Sequence, residues 1–520
     1  MTPLDFPTPQ ASPNYRLSLL CLLIIKAALM AYVMVHAGIG LGPDEAQYWT
    51  WSKELAWGYY SKPPGIAWQI ALGTHFFGDT EFGVRFGSLI VGFLLPWGTY
   101  YLSTRAGLKN GTAFWAAAVM ALCPLGIIAS FFATTDGGYV FFFTMGLAVL
   151  VSALREETVP KYALIGVWIL CGALFKWNAY LLWAVVAIGA YYLPQLRHRS
   201  IALGVAISLL GLLPSLIWNG THDWATFRHV WSTNVVGESQ FFKGNFFDFF
   251  GAQIALLSPV FAILLGMACW TLRKNRDQVP LPIAFCGYTA IGILGFYLIV
   301  AIFKKMQGNW AVFAYPPAIA FLCWYTCEWL LSGKPWLLIG SLVSIALTIF
   351  VFSIPHAQIS EDKPLVPIPF GANPFKHNVG WLKLESHLRN AGYDSDDNFL
   401  FSGRYQTTSL LSFYSEGQKR AYFLNVEDTR KNQFSYWPSM SKEQIGKDGY
   451  FVVIETGKQV EDPLGPKARA IRAQLRPYFT RVQFVGRKPL FTAYGNIVKT
   501  ALIFRCMDYN GLEPIESSKY

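Results

Sequence analysis

Asp44 and Glu45 lie side by side in Gly42-Pro43-Asp44-Glu45-Ala46-Gln47-Tyr48, directly after an apolar run long enough to cross a bilayer. Lys62 follows in Tyr59-Tyr60-Ser61-Lys62-Pro63-Pro64-Gly65. Two carboxylates and an ammonium within one loop can divide the work of removing a proton and compensating charge on a phosphate. Charged groups near a membrane are costly to desolvate, so those that persist pair, snorkel or act on a substrate. The same residues also have a structural reading. Pro43 followed by two acids suits a helix N-terminus, where the dipole favours negative charge. Lys62 can lay its stem on apolar surface with its ammonium in water.

The elements that must position these groups are membrane helices. Of the 520 residues, 53% are hydrophobic and 14% charged, against about one quarter charged in soluble domains. Runs near the ~20 residues needed to span a bilayer fall at about 17–40, 82–103, 112–130, 131–153, 161–175, 178–194, 201–219, 249–271, 281–303, 309–331 and 335–354, which gives about eleven spans. The runs 161–175 and 178–194 are short and separated by Lys176-Trp177-Asn178. Lys and Arg are retained on the cytoplasmic side of membranes. Arg16, Arg105 with Lys109, Arg155 with Lys161, Arg197 with Arg199, the group at Arg273, Lys274 and Arg276, and Lys334 fall in alternate loops and mark the inside. Loops 41–81 and 220–248, the turns at Lys176 and Lys304-Lys305, and the tail then face outward.

The first run reads as a retained anchor, because its polar start is not basic and no small-residue cleavage site follows. The net charge of +11 lies largely in short cytoplasmic loops, where topology accounts for it, so no nucleic-acid partner is expected. Seven of eight cysteines sit in apolar runs and only Cys506 in the tail, so no disulfide framework is expected. Cys323 and Cys327 share a helix face without the further ligands a metal site needs. After residue 354 the composition turns polar, and Pro364, Pro367, Pro369 and Pro374 mark a linker. Strand-like runs at 398–402, 421–425, 450–454, 482–485 and 501–504, with helical stretches near 378–391, 405–416 and 464–476, predict a small α/β domain over 355–520.

The order of these motifs carries a resemblance. A first span, Asp-Glu-Ala with aromatic residues, Lys-Pro-Pro-Gly, and a second span with Gly83-Val84-Arg85 resemble the polyprenyl-phosphate-sugar glycosyltransferases of family 39 and their bacterial relatives. That group includes protein O-mannosyltransferases and the aminoarabinose transferase of lipid A. Thr134-Thr135-Asp136 before Tyr139-Val140-Phe141-Phe142, Leu174-Phe175-Lys176, Trp218–Trp224 with His222 and Asp223, and Gly308-Asn309-Trp310-Ala311 resemble further family segments. So do Tyr405–Tyr414 and Asn432–Trp437 in the tail.

The resemblance implies a GT-C architecture: a transmembrane glycosyltransferase domain over 1–354, with its site at the outer surface of the bacterial inner membrane, and a periplasmic domain over 355–520. The implied reaction moves a sugar from a polyprenyl (undecaprenyl) phosphate donor, with inversion, to lipid A, another envelope glycan or a protein. Asp44 and Glu45 are the expected catalytic pair, Asp44 as base or acceptor-orienting group and Glu45 beside it holding a basic residue or a helix terminus. Lys62, Lys176, Lys304 and Lys305 are expected to bind the donor phosphate. Tyr59, Tyr60, Asp136, His222, Asp223, Asn309 and Trp310 are expected to line the substrate pocket. No cofactor is required by this reading. His222 with Asp223 is the pair that would meet a divalent ion, although a lone His beside one acid is ordinarily structural. Gln47, Ser61 and Gly137-Gly138 depart from the aminoarabinose transferase pattern, which implies a different sugar. The competing class is a lipid or solute transporter. Transporters place ionisable groups near the bilayer midplane, whereas here Lys26 is the main charge within a span and the other groups gather at one side.

Overall fold

Every apolar run becomes helix, and the local sequence accounts for where most of them break. The computed structural model describes residues 14–233, 243–330, 332–359, 367–457 and 465–520. Part of the expected loop 220–248, Pro364 of the linker and residue 464 of a predicted helix lie outside the described residues.

The first elements are α1 (Tyr15–His36), α2 (Pro43–Lys53), α3 (Gly65–Phe77), α4 (Glu81–Arg105), α5 (Asn110–Leu122), α6 (Pro124–Phe131) and α7 (Thr135–Glu156). Among the described residues seven helices are long and apolar enough to cross a membrane, or up to nine if each of two bent pairs forms one span. The expected eleven is therefore reduced, for two reasons. Runs 112–130 and 249–271 bend by 60° and 103°. Each break falls where Pro124 or Pro259 opens the second half, a position where the missing proline N–H costs nothing. Runs 161–175 and 178–194 yield only Tyr162–Ala173 and Leu181–Tyr192, of 12 residues each. At about 1.5 Å per residue neither reaches across a ~30 Å core. Gly308–Trp329 is 94% buried over its most apolar window and forms the centre, whereas α1 and Lys334–Ile359 are 28% buried and turn most of their apolar side chains outward. All eight cysteines are free.

The tail forms a five-stranded sheet in the order β2-β1-β3-β5-β4. The strands are β1 (Phe399–Ser402), β2 (Tyr422–Phe423), β3 (Gly449–Thr456), β4 (Phe479–Ala493) and β5 (Asn496–Tyr509). β1 runs parallel to β2 and β3, while β5 pairs antiparallel with β3 and β4. Helices Tyr405–Tyr414 and Pro466–Leu475 accompany the sheet, as the alternation of runs predicted. The β4–β5 turn places Tyr494 and Gly495 at φ 49° and 77°, the mirror-image turn whose twist suits a two-residue hairpin. Tyr494 N–H then donates to the Gln358 carbonyl at 2.8 Å, tying the hairpin to the end of the last membrane helix.

The sheet domain is packed into the first loop and shares a core with it. Leu41, Ala46, Trp49 and Trp51 from the α1–α2 region belong to one buried cluster with Trp381, Leu384, Leu411 and Tyr450. Tyr414 OH accepts from Leu41 N–H at 2.6 Å, and Asn378 Nδ2 donates to the Gly40 carbonyl at 3.0 Å. The loops expected to face outward thus share the end of the molecule that carries the tail.

Candidate active site

Residue order alone positions the acidic pair. Gly42 caps α2, Pro43 occupies its first turn, and Glu45 reaches back to accept the Gly42 N–H at 2.9 Å, so both acids sit at a helix N-terminus. They point into different surroundings. Glu45 is 3% exposed. It accepts Arg85 Nε at 2.9 Å and Nη2 at 2.8 Å, and also the Ala133 N–H at 3.0 Å. Arg85 spends its other donors on the carbonyls of Ile39 and Gly40, at 2.8 and 2.7 Å. Every nitrogen and carboxylate oxygen of this buried pair has a partner. Glu45 therefore does not have the open carboxylate expected of a catalytic group; it anchors α2 to α4 and to the start of α7.

Asp44 is the opposite case. Its side chain stays accessible although protein surrounds it on most sides, which describes the wall of a cleft. Enclosure raises its carboxyl above the ordinary range, opposed by the ammonium of Lys62 and reinforced by the charge of Glu45. Lys62 is half-buried and is lowered by enclosure and by Lys176, while Asp136 and Asp44 pull it back up. Among the described residues neither Asp44 nor the Lys62 ammonium has an ion-pair or hydrogen-bond partner.

Three further turns converge on this pair. Lys62 precedes Pro63, which disfavours helix at that position, and α3 starts at Gly65, whose N–H donates to the Leu174 carbonyl at 2.7 Å. A Cβ on Gly65 would lie 2.7 Å from that oxygen, so only glycine lets the loop approach the turn that carries Lys176. Lys176 Nζ pairs with Asp136 Oδ1 at 2.6 Å, and Asn309 Nδ2 donates to Asp136 Oδ2 at 2.5 Å. Asp136 thus joins the turns at 134–136, 176 and 308–310 beside Lys62.

The other expected residues divide. Lys304 Nζ donates to the Thr233 carbonyl at 2.8 Å and Lys305 is exposed; neither is among the charges acting most strongly on Lys62. Tyr59 is buried, with its ring stacked on Trp51 and its hydroxyl donating to the Trp51 carbonyl at 3.0 Å, so it shapes the loop and lines no cleft. Trp310 packs against the membrane core. His222 stacks on Trp218, whose carbonyl lies 2.8 Å from its Nδ1, while Asp223 pairs with Arg228 at 2.8 Å and accepts Tyr520 OH at 2.5 Å. These two are committed elsewhere, and among the described residues no group of three His, Cys, Asp or Glu side chains could hold a metal ion.

Tyr60 is at the site, and it leads to residues that sequence reasoning missed. Its N–H donates to Gln433 Oε1 at 2.8 Å, and its ring stacks on His229 and lies 5.5 Å from the guanidinium of Arg430. Arg430 also lies 5.7 Å from the Tyr405 ring, and its charge reaches both Asp44 and Lys62. Asp44 in turn raises Tyr405 and Tyr48, both already raised by burial. The available signal was Arg430-Lys431 immediately before the Asn432–Trp437 segment, a basic pair ahead of aromatic residues.

His229 is lowered to about 3 by burial and by the charges of Arg430 and Lys62. An unfolded chain takes up this proton near pH 6.5, so the neutral ring contributes stability above that pH and loses it as pH falls from about 6.5 towards 3. Amide exchange across Ala225–Trp231, corrected for intrinsic rates, is expected to be faster at pH 5 than at pH 7. Equal protection at both would show that His229 does not hold this helix.

Residues 61–218 match the family model described as dolichyl-phosphate-mannose-protein mannosyltransferase, a stretch that contains Lys62, Asp136 and Lys176. The chain is 26% identical over 292 residues to the lipid A galacturonosyltransferase RgtD of Rhizobium johnstonii, covering 54% of this chain and 59% of that protein. It is 30% identical over 219 residues to an undecaprenyl phosphate-alpha-4-amino-4-deoxy-L-arabinose arabinosyl transferase of Pseudomonas aeruginosa, covering 37% and 39%. The chain therefore spans less than two thirds of either relative's length. The structure of ArnT from Cupriavidus metallidurans bound to undecaprenyl phosphate superposes with a TM-score of 0.63 at 15% identity, covering 94% of this chain and 98% of that one. The chain is a multi-pass membrane protein with the GT-C fold, related to these transferases.

Proposed function

We propose that this protein is an inverting glycosyltransferase that moves a sugar from a polyprenyl phosphate, such as undecaprenyl phosphate, to lipid A or another envelope glycan. The observation that carries this reading is that the Asp44 carboxylate and the Lys62 ammonium have no hydrogen-bond or ion-pair partner among the described residues, beside the turns that Asp136 joins through Lys176 and Asn309. Related proteins bearing names of lipid A and undecaprenyl-phosphate transferases support the substrate classes.

In this scheme Lys62, with Lys176 held by Asp136, compensates charge on the phosphate as it departs. Asp44 takes the proton from an attacking hydroxyl, or orients the acceptor where the attacking group is already an anion. Attack on the face of the anomeric carbon opposite the phosphate inverts that centre. An apolar cavity of about 140 Å³ opens among Phe86, Ile90, Leu94, Phe141, Phe142 and Phe175. Phe175 is the chain neighbour of Lys176, so a prenyl chain seated there would deliver its phosphate to the lysines. Residues 1–354 form the membrane-embedded catalytic part and 355–520 a periplasmic domain completing the cleft, with the site on the periplasmic side of the bacterial inner membrane.

Purified protein is expected to transfer sugar from defined polyprenyl-phosphate donors, and Lys62→Ala to lower kcat/KM by about 10²–10³-fold. Turnover of Lys62→Ala at the wild-type level would remove the proposed site. Mass spectrometry of envelope lipids after gene deletion is expected to show loss of one glycan mass. An unchanged envelope with an altered protein glycan would redirect the acceptor to protein.

A further inference from the structure

Arg430 enters the cleft from the sheet domain, whereas Lys62 and Lys176 come from the membrane part. Its polar contacts are with neutral groups: Nη1 lies 3.4 Å from His229 Nδ1 and 3.5 Å from the Lys431 carbonyl, and the hydroxyls of Tyr60 and Tyr405 are beside it. The rings of Tyr60 and Tyr405 lie 5.5 and 5.7 Å from the guanidinium carbon, holding it without neutralising it. Among the described residues no carboxylate forms an ion pair with it, while Lys176 already has Asp136.

We infer that Arg430 is a specificity-determining residue that binds a carboxylate on the transferred sugar, so that the donor is a polyprenyl-phosphate-linked uronic acid. This rests on the transferase reading given above. A guanidinium offers a planar fork of donors that matches a carboxylate in two parallel hydrogen bonds, which an ammonium cannot do. The carboxylate of a uronic acid leaves the ring at a different carbon from the anomeric phosphate, so the two anions need cations from separate walls. The charge balance agrees. A phosphodiester brings one negative charge for Lys62, Lys176 already has Asp136, and Arg430, with no carboxylate paired to it among the described residues, can answer a second anion. Tyr405, half-buried beside the guanidinium, offers an aromatic surface on which a sugar ring can rest.

The test compares undecaprenyl phosphate galacturonic acid with undecaprenyl phosphate galactose, which differ only in carboxylate against hydroxymethyl, on the full-length protein and Arg430→Gln. The wild type is expected to favour the uronosyl donor in kcat/KM by about tenfold or more, and Arg430→Gln to lower that ratio by about tenfold or more. A partly unfolded preparation scales both rates alike and leaves the ratio intact; should the Gln variant be inactive, Arg430→Lys is read by the same ratio. A ratio that the substitution leaves unchanged, or a wild type that prefers galactose, overturns the carboxylate assignment and leaves the transferase standing. No transfer by the wild type from any polyprenyl-phosphate sugar overturns both.

Discussion

Replacing Asp44 with Asn is expected to lower kcat by about 10²–10⁴-fold, the range that a positioned general base contributes, while leaving the protein folded. The fold should survive because the Asp44 side chain makes no hydrogen bond or ion pair among the described residues, so an isosteric amide leaves no partner stranded. The pH profile of kcat/KM carries the same assignment. Enclosure raises the Asp44 carboxyl and lowers the Lys62 ammonium. The acid limb is therefore expected above the ordinary carboxylate range and the alkaline limb below the ordinary ammonium range, a bell narrowed from both sides. Activity is lost on the acid side as Asp44 gains its proton, and on the alkaline side as Lys62 loses its own. An Asp44→Asn variant that keeps wild-type turnover and an intact acid limb would show that the proton is handled elsewhere.

The second large effect is on stability and comes from the adjacent residue. Arg85→Ala leaves the Glu45 carboxylate buried without its cation and frees the carbonyls of Ile39 and Gly40. Breaking a buried pair from one side typically costs about 3–5 kcal/mol. Thermal unfolding of the detergent-solubilised protein should show a loss of that order. Glu45→Leu with Arg85→Met should cost less than the two single changes summed, because neither variant charge is then stranded. A loss below about 1 kcal/mol for Arg85→Ala would mean that water enters and replaces the pair. The two neighbouring acids are thus expected to separate by assay, Asp44 in rate and Glu45 in stability.

The sequence carried this division only in part. Hydropathy located every membrane element, because spanning lipid demands an unbroken apolar run, but it could not tell a whole span from a half-length one on either side of Lys176. The proline breaks at 124 and 259 decided the two bent pairs. Asp44, Lys62, Lys176 and Asp136 were legible as candidates because charge beside a membrane is costly and their motifs resemble family segments in the same order. Arg85 was visible as part of a motif, but its bond to Glu45 spans 40 residues and has no local signature. Arg430, His229 and Tyr405 were invisible as site residues for the same reason, since a polar tail offers no energetic reason to single out one arginine. Lys304, His222 and Asp223 misled because their partners, Thr233, Trp218, Arg228 and Tyr520, are set by tertiary packing.

The core shared by α2 and the sheet domain also limits how such a protein can diversify. A change of substrate made by exchanging the tail between relatives would bring a foreign apolar surface against Trp49 and Trp51, and would misplace the very helix that presents Asp44. The loop and the tail must therefore be inherited, and grafted, as one module.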